Sequence, residues 1–419
     1  MAAIPQPSAV PERKAHLFPE AIKQRFSPII LLLALLSAFP PLATDMYLPA
    51  LPLLQKQWDV PLVAINLTLV AFFITYCAFL LLFGPLSDRY GRKPPLLAGV
   101  SIFVGACIFC ACATSPGMLT LGRSLQGAGA AAASAIVLAI CKDRFSGQQR
   151  QRIFLQIGAI VAMAPMIAPV LGGWIVGLCS WPWIFVLQAV LGLIALVGVA
   201  CMPESLASES QSSLGAVALS YFRLLGNSRY VGLMLTLSLT GIPVFAFIGG
   251  SSDLYITHFG FNEQQFGYFF GFNALAFVLA PLAFSRLVRH FATTTLMPYA
   301  FAGMIVFALA LRCPWLPVPW RLTLPMFLLT FCFSFCRPAG NNLILEQVDR
   351  DTGAASALMV FVFFMIGSTS MWFFSLDWAD KITTLSLMGA IPVTITLLGW
   401  QVIKRRIRTP VEIRRSQEK

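Results

Sequence analysis

Charge is what this sequence has least of. Only 11% of its 419 residues are Asp, Glu, Lys or Arg and 58% are apolar, where soluble domains carry about 25% charge. At a mean hydropathy of +0.79 there is too little polar surface to keep 45.8 kDa in water. A soluble globular protein is excluded, and the solvent is lipid. Acidic residues are scarcer than basic ones, 17 against 29. Asp88 has no acidic neighbour within a few turns, so the converging carboxylates of a metal-dependent membrane phosphotransferase are missing. Histidine is nearly absent too: His16, His258 and His290 all fall in tails or loops. No metal site, nucleophile or other enzyme constellation can be assembled inside the membrane, and no cofactor is implied. The ten cysteines lie nearly all in apolar runs and read as small packing residues rather than a zinc site or disulfide framework.

What is present is a succession of apolar runs, each of about 20 residues, the length that crosses a bilayer as a helix. They lie near 28–50, 62–83, 95–114, 117–140, 153–177 and 183–202, then near 230–250, 265–287, 295–312, 322–345, 354–375 and 382–403. The first run follows Arg13, Lys14, Lys23 and Arg25 as a signal peptide does, but flows into Asp45-Met46-Tyr47 without a cleavage site. It is read as a retained span.

Of the 29 Lys and Arg, Arg123 and Arg337 fall inside spans and Lys56, Arg312, Arg321 and Lys381 on one side; all others lie on the opposite side. The positive-inside rule therefore puts both termini in the cytoplasm and accounts for the net charge of +12 without a nucleic-acid partner. A Ser-, Gln- and Glu-rich stretch separates two sets of six spans. The reading is a tail 1–27, a six-helix bundle 28–202, a linker 203–229, a second six-helix bundle 230–403 and a basic tail 404–419. Pro85-Leu86 before Arg89 and Arg92 is echoed by Pro281-Leu282 before Arg286 and Arg289. So short a match also arises by chance, but a half-chain repeat marks transporters with a site between two related bundles.

Ionisable residues inside a membrane are costly and by default functional. Asp45 sits roughly 25 Å into a core about 30 Å thick, and Arg123 at nearly the same height on a span running the other way. Arg123 is its candidate partner: desolvation raises a carboxylate's proton affinity, an adjacent Arg lowers it, and moving the two loads or releases a proton. The competing reading is an Asp that caps a helix before Pro49 and Pro52. Arg337 either faces a substrate path, snorkels to the inner interface, or pairs with Glu346 or Asp351. Tyr47, Tyr76, Gln126, Gln156, Asn273 and Asn341 are further candidates for a cavity lining, each also explicable as a helix-helix hydrogen bond.

Two sequence elements punctuate the spans. In Gly84-Pro-Leu-Ser-Asp88-Arg89-Tyr-Gly91-Arg92-Lys93, glycines permit a tight turn, Asp88 is placed to face a helix N-terminus, and the basic residues to reach anionic head groups. In the fifth span, Pro165, Pro169, Gly172 and Gly173 bend a helix and let another backbone approach.

The first element resembles the signature of the major facilitator superfamily, G-x-L-x-D-R-x-G-R-[RK]. Arg123 with Gln126-Gly127 resembles that superfamily's R-x-x-Q-G element. Asp45-Met46-Tyr47-Leu48-Pro49 through Pro52 resembles the D-x-Y-L-P-x-x-P element of its drug:proton antiporters, in particular the Bcr/CflA subfamily named for bicyclomycin and chloramphenicol resistance. The resemblance implies the twelve-helix, two-bundle major facilitator fold. It implies conformational gating by Gly84, Asp88, Arg89, Gly91, Arg92 and Lys93, and a proton site of Asp45 organised by Arg123. The fifth span resembles the exporter signature G-P-x-x-G-G that seals a contact between helices 5 and 8, with Ala164 and Ala168 where glycines are usual.

The expected function is proton-coupled export of small amphipathic molecules across the bacterial inner membrane, with the proton gradient as energy source. A carrier for one sugar, nucleoside or peptide is the alternative. Multidrug relatives can carry a second acid two turns before Asp45, where this chain has Ser37. Neutral or monocationic substrates and a monomeric carrier are therefore expected.

Overall fold

The computed structural model describes residues 28–206, 214–313, 316–348 and 351–404. The tails read at 1–27 and beyond Lys404, and 207–213 of the linker, lie outside them. Among the described residues eleven helices are long and apolar enough to span a membrane, and a bent pair supplies a twelfth. We number the spans α1 (Pro28–Ser37 and Phe39–Trp58), α2 (Leu62–Tyr90), α3 (Lys93–Ala111), α4 (Pro116–Arg144), α5 (Gly147–Leu178) and α6 (Pro182–Cys201). The second set is α7 (Ser228–His258), α8 (Glu263–Leu287), α9 (Thr293–Ala310), α10 (Trp320–Leu345), α11 (Thr352–Phe374) and α12 (Lys381–Ile403).

The helices follow the apolar runs but overrun several of them, because a helix satisfies its own backbone whether lipid or water surrounds it. Polar side chains take over at the ends. Ser115 accepts from Met118 N, and Asn262 and Gln265 form a reciprocal capping box. The first span continues past residue 50 to Trp58, bent by 44° at Ala38. Pro40 and Pro41 follow the break, and their missing N–H groups leave the chain no straight continuation. A second tightening, a 3₁₀ turn at Leu48–Ala50, contains Pro49. The linker is not wholly irregular: Leu214–Leu225 is a helix, and its Tyr221 Oη donates to Leu81 O of α2 at 3.2 Å.

Within each half, close packing depends on small residues, since lipid offers no hydrophobic incentive for helices to associate. Gly127, Gly129 and Ala130 to Ala133 form a buried stripe on α4. A methyl group added at Gly127 would sit 2.3 Å from Phe72 O of α2, and one at Gly129 2.6 Å from Phe103 N of α3. The two halves meet where α2 packs on α11 and α5 on α8. The α5–α8 contact is again glycine-based: added methyls would reach Glu263 O at 2.3 Å from Gly173, Pro169 O at 2.7 Å from Gly267 and Met166 O at 2.8 Å from Gly271. These approaches lie toward the α1–α2 end of the molecule. At the other end, that of the α2–α3 turn, a cavity of about 680 Å³ opens between α2, α4 and α11.

Gly129→Val should lower the thermal unfolding midpoint of the purified protein, by the equivalent of about 1–3 kcal/mol for an overpacked contact. Gly105→Ala, on the same pair of helices but with nothing within 4 Å of the added methyl, should leave it unchanged; equal midpoints for the two variants would refute the close-approach account.

Candidate functional site

The deepest polar feature of the first half is Arg123, 0% exposed on α4. The bent α1 supplies its partners. Tyr47 N turns to Thr44 O instead of continuing the helical ladder to Ala43 O, and Arg123 Nη1 donates to Ala43 O at 2.9 Å. The same nitrogen donates to Gln126 Oε1. Gln126 Nε2 then donates to Gln188 Oε1 of α6 at 2.7 Å, and Gln188 Nε2 to Leu42 O of α1 at 3.1 Å. A closed polar circuit thus ties α4 and α6 to α1. Aromatic faces complete the enclosure: the guanidinium carbon lies 4.5 Å from the ring centre of Phe72, 5.1 Å from Tyr47 and 6.0 Å from Phe185. Gln126 also reaches Cys107 Sγ at 3.1 Å; Cys107 and Cys110 do stand at C-x-x-C spacing, and both are free thiols buried in α3.

Asp45 does not meet Arg123. Its carboxylate accepts from Thr44 Oγ1 at 2.9 Å and enters no ion pair among the described residues. Equal depth brought the two residues to one height, but helix rotation turns Arg123 into the bundle and Asp45 toward the interface between halves. There Asp45, 6% exposed, lines a central cavity of about 380 Å³ walled by Phe73, Phe245, Phe277, Phe333, Phe363 and Phe364, with Thr44, Pro40 and Pro165.

The other charge in that cavity is Arg337 of α10. It pairs with neither Glu346 nor Asp351: Asp351 faces Arg223 at 3.4 Å, and Glu346 Oε2 is buried with no hydrogen-bond partner among the described residues. Its guanidinium carbon instead lies 3.4 Å from the ring centre of Phe363. The remaining cavity candidates lie elsewhere. Tyr47 and Gln126 belong to the Arg123 circuit. Tyr76 packs edge-on against Phe364 from behind the wall, and Asn273 accepts from Thr330 Oγ1 at 3.2 Å, joining α8 to α10. Gln156 and Asn341 are half-buried outside the lining.

The α2–α3 turn is locked by charge. Arg92, on the turn made possible by Gly91 at φ +88°, donates to Asp88, to Ser87 Oγ at 2.9 Å and to Asp143 of α4 at 2.8 Å. Asp88 does not face the helix N-terminus; Glu204, which sequence reasoning passed over, does. Glu204 accepts from the N–H groups of Arg92 and Lys93, both at 2.9 Å, and from Ser205 and Leu206. Partial burial opposes its charge, but these four donors outweigh it and hold the carboxyl below the ordinary glutamate range. Arg92 is buried in these pairs rather than reaching toward lipid, and Lys93 Nζ donates to Ala200 O at 2.6 Å. Arg89 lies 5.4 Å from the centre of the Tyr90 ring, and Gly84 lines the cavity at this end. In α5, Pro169 and Gly173 meet α8, whereas Gly172 faces Met46 O of α1. Pro165 reaches the central cavity.

The profile of the Major Facilitator Superfamily matches residues 33–371. An uncharacterized MFS-type transporter, YdgK, of Bacillus subtilis is 28% identical over 90% of this chain and 94% of its own. A bicyclomycin resistance protein homolog of Haemophilus influenzae is 30% identical over 81% and 86%. Among solved structures, that of the D-xylose-proton symporter superposes with a TM-score of 0.72 over 91% of this chain and 97% of that one, at 14% identity, a likeness of fold.

Because the Glu204 carboxyl is held low, its contribution to stability is complete above the ordinary glutamate range and is lost as pH falls through its own, lower one. The difference in melting temperature between wild type and Glu204→Ala should therefore be steady from about pH 8 to pH 6 and close below about pH 4. A difference that stays constant to acid would remove the capping role.

Proposed function

The chain belongs to the major facilitator superfamily, a transporter and not an enzyme, multi-pass in the bacterial inner membrane, and from this premise we propose that it exports small drug-like molecules in exchange for protons. The observation that carries the proposal is Asp45, a carboxylate facing the cavity between the halves with the Thr44 hydroxyl as its one partner among the described residues. Such a group takes up a proton or a ligand's positive charge, but not both at full strength, which is the competition an antiporter requires. The name of the Haemophilus influenzae relative supports a drug as cargo.

The α2–α3 end gathers the basic segments and is assigned to the cytoplasm. In this reading the α5–α8 glycines seal the outer side, and the cavity between α2, α4, the Leu214–Leu225 helix and α11 lies on the cytoplasmic side. Ligand enters from the cytoplasm, the halves rock, ligand leaves outside, and protonation of Asp45 allows return. The Arg92, Asp88, Asp143 and Glu204 contacts tie the end of α2 to α4 and α6 within the first half and keep that half's end rigid while the two halves rock. One proton crossing 100 mV supplies about 2.3 kcal/mol, roughly a fifty-fold gradient of an uncharged molecule. No cofactor is used, and one copy of the chain contains the whole pathway. A dedicated metabolite carrier is the second reading, favoured by Arg337, since a fixed unpaired cation selects among ligand charges more sharply than an apolar wall.

In energised inside-out vesicles, chloramphenicol, bicyclomycin or a monocationic dye should discharge the pH gradient with wild-type protein, and Asp45→Asn should abolish the response. If wild type, folded and inserted, ignores all three compounds, drug:proton exchange is lost and the metabolite carrier stands.

A further inference from the structure

Two charged side chains face the central cavity, Asp45 from the first half and Arg337 from the second. They form no ion pair with each other, and among the described residues the four ion pairs all lie elsewhere. Among the described residues the face of Phe363 lies beneath the Arg337 guanidinium and no carboxylate pairs with it. A ring quadrupole offsets part of the cost of taking a cation out of water, and less than a carboxylate does. One turn away on α10, Ser334 lines the same cavity with its Oγ buried and unpartnered. Pro338 lacks the N–H that would bind the Ser334 carbonyl. The second half thus presents an uncompensated cation with polar groups beside it, and the first half a carboxylate with Thr44. Phenylalanine lies between.

Resting on the transporter reading above, we infer that the ligand of this cavity is amphoteric: a small molecule with an aromatic body, a cationic group held at Asp45 and an anionic group held at Arg337. Charge counting leads there. A monocation pairs with Asp45 but is repelled by Arg337 and leaves it bare. A monoanion does the reverse, and a neutral molecule leaves both charges uncompensated. Only a ligand with both signs pairs each, in a space where an unpaired charge is expensive. The cavity volume of about 380 Å³ lies at the small end of the range for ligand sites. Because the two charges belong to opposite halves, such a ligand also bridges the interface that must rearrange during transport. The monocations expected from Asp45 alone then bind, but more weakly than a ligand with both charges.

Three indoles of matched size test this on the full chain in detergent at neutral pH, by calorimetry: tryptophan with both charges, tryptamine with the positive charge only and indole-3-propionate with the negative only. Tryptophan should bind at least about tenfold more tightly than either. Arg337→Met should invert the order of tryptophan and tryptamine, while Arg337→Lys, which keeps the charge, should preserve the wild-type order and shows that the site tolerates substitution. Tryptamine or indole-3-propionate binding as tightly as tryptophan, an order unchanged in Arg337→Met, or no binding by any of the three overturns the inference. The vesicle assay separates this failure from that of the exporter reading. Asp45-dependent proton release by chloramphenicol together with indifferent indole binding sinks only the amphoteric ligand. The expected indole order without any proton release sinks only the exchange.

Discussion

Inside a bilayer a polar group without a partner in the protein is costly, and in this molecule the constraint is sharpest at Arg123, whose Nε and Nη2 find no hydrogen-bond acceptor among the described residues. A buried cation with no carboxylate beside it costs several kcal/mol. Three aromatic faces and hydrogen bonds to Ala43 O and Gln126 offset that cost. The carbonyl of Ala43 is free for this only because α1 departs from regular helix there. Prolines, the bend and the Arg123 circuit are therefore parts of one solution: α1 bends, its carbonyls turn to the cation, and Asp45, two residues on, is delivered to the interface between halves. Asp45 and Arg123 are connected through the backbone of residues 43–45 and the Ala43 carbonyl, not through a contact between their charges.

The interface between halves has two different chemistries. Glycines of α5 and α8 allow direct backbone contact at one end, and beside it Trp174 Nε1 of α5 donates to Tyr268 Oη of α8 at 3.1 Å. The middle is lined by phenylalanine rings and two charges, one from each half. A ligand there meets flat apolar walls tolerant of shape, and charges that are not. Shape tolerance and charge selectivity can thus coexist in one cavity, each set by its own residues.

The α2–α3 turn shows how unequal the two halves are despite their echo. In the first half Gly91 takes a left-handed conformation, Arg92 is buried among Asp88, Ser87 and Asp143, and Glu204 returns from the far end of α6 to hold the turn. In the second half Arg286 and Arg289 are exposed, and neither enters an ion pair among the described residues. The shared spacing marks a common place in two bundles; the locking chemistry exists in one of them.

Spans, their punctuation and the sided distribution of Lys and Arg were legible in the sequence because each depends on local composition. Lipid demands about 20 apolar residues whatever packs against them, and proline or glycine acts on the backbone where it stands. Asp45, Arg123 and the 84–93 turn stood out as candidates for a similar reason, since a charge within an apolar run is conspicuous on its own. Who meets whom was not. Asp45 and Arg123 share a depth, which rise per residue yields, but not a direction, which depends on how each helix is rotated against its neighbours. Glu204 lies over a hundred positions from the amides it caps. Arg337 looked free to pair with Glu346 or Asp351 until α10 turned it toward Phe363 and the cavity. Depth is a sum along one helix, and the sequence contains it; azimuth and partner are decided by side chains of other helices, and only their packing together sets them.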